Sequence, residues 1–169
     1  SLMISHRQLH KFGGSSLADP ECYQRVAKLI KDYSHPNDLI VVSAAGKTTN
    51  HLIALTEAIN IDGRAAHMEL QGIRQYQIHL IEELTVGEEK QQLTAQLNDE
   101  LSTLANLTFP LSENTKASVL GYGEIWSCRL LATLLRQNDL PSISVDARCF
   151  LRAQGKTKPE NERGERRAV

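Results

Sequence analysis

Four consecutive aliphatic residues, Leu39-Ile40-Val41-Val42, place the strongest constraint on how this chain can fold. A strand that is apolar at every position, and not only at alternate ones, is typical of a parallel sheet that is covered on both faces. Asp38 precedes the run, and the small residues Ser43-Ala44-Ala45-Gly46 end it. We therefore expect a central strand with helices packed against both of its sides.

The segments around this strand repeat one pattern, a strand followed by a glycine loop and a helix. A short strand over Gln8 to Phe12 ends at Gly13-Gly14, and Asp19-Pro20 then supplies an N-cap and a first helical residue for a helix from about Pro20 to Tyr33. After the second strand, Thr48, Thr49 and Asn50 are candidate caps for the next helix. The repeated pattern predicts the α/β class, with a mainly parallel sheet flanked by helices.

The region from Gly63 to about Leu107 carries two leucine-rich stripes at helical spacing, separated by Gly87. Two packed helices are expected. Their apolar stripes fit core packing better than a lid or a dimer surface, although a homodimer is an alternative that the sequence leaves open. Next, Gly121-Tyr122-Gly123 is expected to precede a helix over Glu124 to Asn138, and a strand should follow over Ser142 to Val145.

Composition narrows the class of protein. Lys and Arg number 19 and Asp and Glu number 20, so the formal charge of −1 argues against nucleic acid or an anionic membrane as partner. The aliphatic runs are too short to span a bilayer and nothing resembles a signal peptide, which predicts a soluble, cytoplasmic protein. Three scattered cysteines and six scattered histidines show no metal-ligand spacing, so no metal site is expected. Residues 154–169 are polar and are expected to form a disordered tail behind a domain over 1–153.

Three segments are candidate binding sites. In the first, the main-chain N–H groups of Gly13, Gly14 and Ser15 can approach an anion, and Lys11 adds a positive charge. An ordinary glycine turn beside a surface lysine explains the same residues. The second segment, Ser43 to Asn50, contains Gly46-Lys47-Thr48 but has Val41 where a phosphate-binding P-loop needs glycine. Its hydroxyl groups suit either a small polar substrate or helix capping.

The third segment is Gly121-Tyr122-Gly123-Glu124. A carboxylate in the first turn of a helix is favoured by the helix dipole, and the same carboxylate can bind an ammonium group of a ligand. For Glu124 alone the structural role is the simpler explanation. Three such segments at the ends of strands or the starts of helices make a ligand site more convincing than any one of them does.

These segments resemble the signature motifs of the aspartate kinases, members of the amino-acid kinase family. The resemblance runs through Lys11-Phe12-Gly13-Gly14-Ser15-Ser16, then Ser43 to Asn50, Gly121 to Ser127 and Val145 to Leu151. It covers about residues 7 to 153. It is nearest to the kinase part of bacterial bifunctional aspartokinase/homoserine dehydrogenases of the methionine-pathway type. The implied fold is the N-terminal half of an amino-acid-kinase-like (carbamate-kinase-like) fold.

The resemblance also implies an activity and a set of roles. Aspartate kinases transfer a phosphoryl group from ATP, with Mg²⁺, to the side-chain carboxylate of L-aspartate, the first step toward lysine, threonine and methionine. By position, Lys11 would be catalytic and would contact the phosphate together with Gly13, Gly14 and Ser15. Ser43, Thr49 and Glu124 would bind aspartate, with Glu124 facing its α-ammonium group.

One departure from the family limits this expectation. The family's second glycine-rich motif, Gly-Arg-Gly-Gly-Ser-Asp, and its nucleotide-binding loops are not found in this sequence. We therefore expect a partial catalytic domain, the aspartate-side half, with little or no kinase activity by itself and no bound nucleotide. The alternatives are a non-catalytic binding or assembly fragment that retains an aspartate or anion pocket and, less in keeping with Val41, a P-loop NTPase.

Overall fold

A computed structural model describes residues 7–154 of the chain. Within these residues, five α-helices and four strands follow one another in the order β1, α1, β2, α2, α3, α4, α5, β3, β4, with a short 3-10 helix over Gly14–Leu17 between β1 and α1. Their bounds are β1 Leu9–Phe12, α1 Pro20–Tyr33, β2 Leu39–Val42, α2 Thr48–Ile59, α3 Gly63–Leu84, α4 Gly87–Ala105, α5 Glu113–Gln137, β3 Ser142–Asp146 and β4 Cys149–Arg152. The tail predicted for residues 154–169 lies, apart from its first residue, outside the described residues.

Helix α1 has the predicted bounds because both of its start signals operate. The Asp19 carboxylate accepts a hydrogen bond from the Cys22 N–H at 2.8 Å, and Pro20 occupies the first helical position. Its apolar stripe, Tyr23, Val26 and Ile30, is fully buried. The predictions for β1, β2, α3 and α4 are confirmed as well, and the leucines of α3 and α4 that the sequence assigns to the core are largely buried there.

The sheet is mixed, whereas the sequence pattern predicts a mainly parallel one. The strands lie in the order β1-β2-β4-β3; β1 pairs parallel with β2, and β4 is antiparallel to both of its neighbours. The difference arises at the turn around Ala147-Arg148, where the chain reverses into β4, a strand that the sequence pattern does not indicate. The α/β class is confirmed.

One face of this sheet packs against the helices and the other does not. Ile40, Val42 and Phe150 are at most 2% exposed and form the covered face. On the opposite face Leu39 and Val41 are only half-buried, and Leu9 is 62% exposed. Coverage of β2 on both faces, expected from its unbroken apolar run, is thus wrong for the part of the chain that the structure describes.

Helix α5 begins at Glu113, well before the predicted start at Glu124. The Ser112 hydroxyl caps it by accepting from the Thr115 N–H at 3.1 Å, so the helix starts directly after this serine. Gly121 and Gly123 consequently lie inside the helix. Glycine inside a helix costs stability, so a glycine retained there needs a packing reason. No helix among residues 7–154 is both long enough and apolar enough to span a membrane.

Candidate active site

The two glycine-containing loops meet at the carboxyl edge of β1 and β2. The Ser43 N–H donates to the Phe12 carbonyl at 2.9 Å, and the Gly46 N–H donates to the Gly14 carbonyl at 3.1 Å. A Cβ at position 14 would lie 3.0 Å from the Gly46 carbonyl oxygen and 3.1 Å from that of Ala44. Glycine is therefore the residue that lets the first loop lie this close to the second.

The rest of the first loop faces solvent. Lys11, Gly13 and Ser15 are exposed, and a Cβ at Gly13 would meet nothing within 4 Å. The Ser16 N–H is already used in a hydrogen bond to the Gly13 carbonyl at 3.0 Å. The loop thus leaves an accessible backbone beside the lysine, as an anion site requires.

The second loop is fixed by two residues of α3 that the sequence motifs do not indicate. The Tyr76 hydroxyl donates to the Ala18 carbonyl and lies 2.6 Å from where a Cβ on Gly46 would be. Gly46 has a positive φ of +50°, so glycine is favoured there by conformation as well as by space. Burial raises the pKa of Tyr76, so it remains a neutral donor at physiological pH. Helical periodicity in the sequence predicts which side of α3 is buried. It does not predict which loop that side contacts.

Thr48 has a structural part in this loop. Its hydroxyl donates to the Ala45 carbonyl at 2.6 Å and accepts from the Gln77 amide nitrogen at 2.9 Å, and the residue is 1% exposed. A P-loop needs this hydroxyl for the metal ion of a nucleotide, so its burial counts against that alternative. Helix α2 begins at Thr48 itself, and Lys47 before it forms no side-chain cap, so the predicted caps do not form. Thr49 is exposed and Ser43 is half-buried.

The third segment joins the other two through Gly123. A Cβ at this position would lie 2.7 Å from the Cβ of Ala44 in the second loop. The close approach of α5 to the loop is the packing reason for glycine inside a helix. Glu124 follows on the next helical position, in the middle of α5, so the helix-dipole argument for its carboxylate is wrong.

Glu124 instead has a cationic neighbour. Its Oε2 lies 3.8 Å from Nε of Arg148, and both side chains are partly exposed. Arg148 occupies the turn between β3 and β4, where its N–H donates to the Asp146 carboxylate at 2.7 Å. Because Cys149 pairs with Val41, this turn lies at the carboxyl edge of β2, next to the second loop. Arg148 belongs to a motif of the resemblance, but only the fold places it beside Glu124.

The structure unites the three segments without bringing every predicted residue together. Lys11 pairs with Val41, so its side chain belongs to the uncovered face of the sheet, whereas Glu124 belongs to a helix on the covered side. Neither Lys11 nor Glu124 lines any of the five cavities described among residues 7–154. Lys11 and Glu124 therefore approach the carboxyl edge from different sides.

One cavity of about 340 Å³ adjoins the second loop, between α2 and α3. Lys47 and His51 lie at it together with Ile73, Tyr76 and Gln77. Within the described part of the chain, no three His, Cys, Asp or Glu side chains gather closely enough to hold a metal ion. The Mg²⁺ that the resemblance implies would be held mainly by the phosphates of the nucleotide and needs only one or two carboxylates from the protein.

Comparison with known proteins places this geometry in a family. The model of the amino acid kinase family matches residues 6–168. Bifunctional aspartokinase/homoserine dehydrogenase 2 of Escherichia coli K12 is 45% identical over 159 residues, which are 94% of this chain and 20% of that protein. Lysine-sensitive aspartokinase 3 of the same organism is 27% identical over 161 residues, or 35% of its length.

The solved structures agree with the sequence comparisons. The crystal structure of E. coli aspartokinase III in complex with aspartate and ADP superposes with a TM-score of 0.62 at 27% identity. The match covers 80% of this chain and 30% of that one, so the chain spans well under half the length of the relatives it matches. The chain belongs to the amino acid kinase family, and its resemblance to the aspartate kinases is confirmed.

Proposed function

We propose that this chain forms the aspartate-side half of an aspartate kinase catalytic domain. The reaction is the ATP-dependent phosphorylation of the side-chain carboxylate of L-aspartate to 4-phospho-L-aspartate. The observation that carries the proposal is the interlock of the two glycine loops, Gly14 against Gly46, at the carboxyl edge of parallel strands. Ligands of open α/β sheets bind at such an edge.

The chemistry requires two anions to meet. A side-chain carboxylate oxygen attacks the γ-phosphorus of ATP, the bond from phosphorus to the bridging oxygen breaks, and ADP leaves with that electron pair. Positioning and charge neutralisation supply most of the catalysis in such transfers. Lys11 neutralises the transferred phosphoryl group, and the exposed backbone of Gly13, Gly14 and Ser15 donates hydrogen bonds to its oxygens.

The aspartate is held at the second loop and at α5. Ser43 and Thr49 provide hydroxyl groups, and Glu124 binds the α-ammonium group. Arg148, whose Nε lies 3.8 Å from Oε2 of Glu124, places a positive charge next to the negative one at this end of the site. The guanidinium repels a simple amine but can bind the α-carboxylate of an amino acid. The two side chains together thus favour a zwitterion over either single charge.

Nucleotide binding is the part of the reaction that this chain supports least well. Its sequence contains no Gly-Arg-Gly-Gly-Ser-Asp motif, and among residues 7–154 the Lys11 side chain is exposed and lines none of the five cavities described there. The chain by itself accordingly has little or no kinase activity. It retains an aspartate half-site, and MgATP is bound productively only when the rest of a kinase domain is present.

Isothermal titration of the chain with L-aspartate and, separately, with ATP tests this proposal. Aspartate is expected to bind and Glu124→Gln to weaken that binding about tenfold, the loss of one charge-assisted contact. Glu113→Gln, at the exposed start of the same helix, is the matched control and should leave the affinity unchanged. Absence of aspartate binding, or rapid ADP formation by the chain alone, contradicts the proposal.

A non-catalytic binding fragment is the second candidate, and the separation of Lys11 from Glu124 favours it. In that case aspartate binds whether or not ATP is supplied, and no source of a nucleotide-binding half restores phosphorylation. The two candidates differ only in this last measurement.

A further inference from the structure

The cavity of about 340 Å³ between α2 and α3 has a mainly apolar interior. Pockets that enclose small molecules have volumes of about 300–1,000 Å³ and mostly apolar walls, so this cavity has the size and lining of a ligand site. Its walls and rim include Lys47, Thr48, His51, Ile73, Tyr76 and Gln77. We call it the α2–α3 cavity.

The polar side chains in the wall of this cavity already have hydrogen-bond partners within the protein. The Tyr76 hydroxyl donates to the Ala18 carbonyl. The Thr48 hydroxyl donates to the Ala45 carbonyl at 2.6 Å and accepts from the Gln77 amide nitrogen at 2.9 Å. A ligand rich in hydroxyl or amide groups would leave most of those groups unpaired here, which is unfavourable. The part of a ligand that enters the cavity must therefore be apolar.

The rim of the cavity provides a cation. Lys47 and His51 are exposed lining residues, the first from the second loop and the second from the first turn of α2. His51 already faces a carboxylate, since its Nδ1 lies 3.6 Å from Oε2 of Glu69. Lys47 takes part in none of the ion pairs formed among residues 7–154. An ammonium group at the mouth of an apolar cavity favours a ligand that carries one anionic group.

We propose that the α2–α3 cavity is a second ligand site, separate from the aspartate site, for a small carboxylate with an apolar body. The apolar body packs against Ile73, which is 3% exposed, and against the half-buried ring of Tyr76. The carboxylate pairs with the ammonium group of Lys47. Each part of the ligand thus meets the part of the cavity that matches its polarity.

The second site shares a loop with the aspartate site but none of its residues. Gly46 and Thr48 line the cavity, whereas Ser43, Thr49 and Glu124 do not. A ligand in the cavity stabilises the loop arrangement in which the cavity exists, and the same arrangement holds Ser43 and Thr49 in place. The ligand should therefore raise the affinity for aspartate, and aspartate should raise the affinity for the ligand by the same factor. This coupling rests on the proposed function, whereas binding in the cavity does not.

Titration of the full 169-residue chain with 3-phenylpropanoate, followed by NMR chemical shifts, tests the site. Two matched probes separate the parts of the ligand: 3-phenylpropan-1-ol keeps the apolar body without the charge, and propanoate keeps the charge without the ring. Each of the two should bind at least about tenfold more weakly than 3-phenylpropanoate. The proposal is overturned if 3-phenylpropanoate shows no saturable binding, or if the alcohol or propanoate binds equally well.

Variants of the cavity test where 3-phenylpropanoate binds. Lys47→Met should weaken binding about tenfold, while Lys28→Met, at an exposed lysine of α1, is the control and should bind like the wild type. Ile73→Ala should weaken binding about fivefold because part of the apolar wall is lost. Its control is Ile81→Ala, at a buried isoleucine of the same helix that does not line the cavity.

Circular dichroism melts verify that the four variants fold. Because Lys47 is exposed, its variant decides the location of the site even if Ile73→Ala does not fold. Binding to Lys47→Met that is as tight as binding to Lys28→Met places the probe elsewhere and overturns the proposal.

Titration with L-aspartate, with and without saturating 3-phenylpropanoate, tests the coupling. The affinity for aspartate should rise about fivefold, at the lower end of the usual range of coupling between two sites. An unchanged or lower affinity overturns the coupling. If the probe binds through Lys47 but aspartate does not bind at all, the cavity site is supported and the proposed function is contradicted.

Discussion

Gly123 of α5 lies against Ala44 of the second loop so closely that a Cβ on the glycine would be 2.7 Å from the alanine's own. This contact joins the third sequence motif to the second, across almost half of the chain. It also explains why a helix otherwise rich in helix-forming residues carries a glycine near its middle.

Replacing Gly123 with alanine is expected to destabilise the chain by about 1–3 kcal/mol, the usual cost of overpacking. Gly72→Ala in α3 is the matched control, since a Cβ there meets nothing within 4 Å. That change should stabilise the chain by about 0.5–1 kcal/mol, because alanine is the better helix former. Urea unfolding of both variants measures the difference, and equal effects at the two sites would disprove the packing explanation.

Acid should destabilise the fold through Asp38. Burial of this carboxylate raises its pKa, but hydrogen bonds from the Gln8 N–H, the His10 ring and the His35 N–H outweigh that effect and lower the pKa to about 2. A folded-state pKa below the unfolded one contributes stability that is present above about pH 4 and is lost as pH falls toward 2.

Unfolding free energies measured between pH 7 and pH 2 should show this loss in the wild type. In Asp38→Asn the loss should be smaller, although the variant is less stable at neutral pH. Asp32→Asn, an exposed aspartate on α1, serves as the control and should keep the wild-type pH dependence.

The two lysines of the glycine loops should differ in their effect on phosphoryl transfer. In a kinase domain assembled from this chain and the unmatched kinase region of the E. coli bifunctional relative, Lys11→Met should cost about 2–4 kcal/mol of transition-state stabilisation, the usual cost of losing one preorganised charge contact. Lys47→Met should change kcat by less than about threefold, since Thr48 next to it is used structurally. The opposite order would favour the P-loop alternative.

Charge-deleted analogues of aspartate should separate the roles of Glu124 and Arg148. β-Alanine lacks the α-carboxylate and succinate lacks the α-ammonium group, so the wild type should bind both more weakly than aspartate. Arg148→Gln should reduce the preference for aspartate over β-alanine without weakening β-alanine. Arg64→Gln, at the exposed start of α3, also removes one positive charge and serves as the control. Its titration should show the wild-type preference. An unchanged preference in Arg148→Gln rules out contact with the α-carboxylate.

The local signals in the sequence predicted the elements whose causes are local. Asp19 and Pro20 determine the start of α1, and Gly87, with its φ of +69°, separates α3 from α4 as expected. The start of α5 differs from the prediction because Gly121 and Gly123 look like a turn in sequence, and only the approach of Ala44 explains Gly123. Strand β4 was missed because Cys149 to Arg152 carries no alternation and no strong apolar run.

The site was predictable in its loops but not in its surroundings. The glycines identify the loop segments that meet at the carboxyl edge of the sheet, while the residues that fix those segments, Tyr76 and Gln77, lie on a distant helix with no motif. The neighbour of Glu124 was also hidden, because the turn that carries Arg148 reaches the edge of the sheet only through the pairing of β4 with β2.

The strand order determines where another strand can be added to the sheet. β4 occupies the position beside β2, so β1 and β3 are the two margins of the four-stranded sheet. A margin keeps a row of main-chain N–H and C=O groups available for one more strand. A polypeptide that lengthens the sheet at β1 must run alongside Lys11, so enlarging the sheet there also changes the surroundings of the proposed phosphate site.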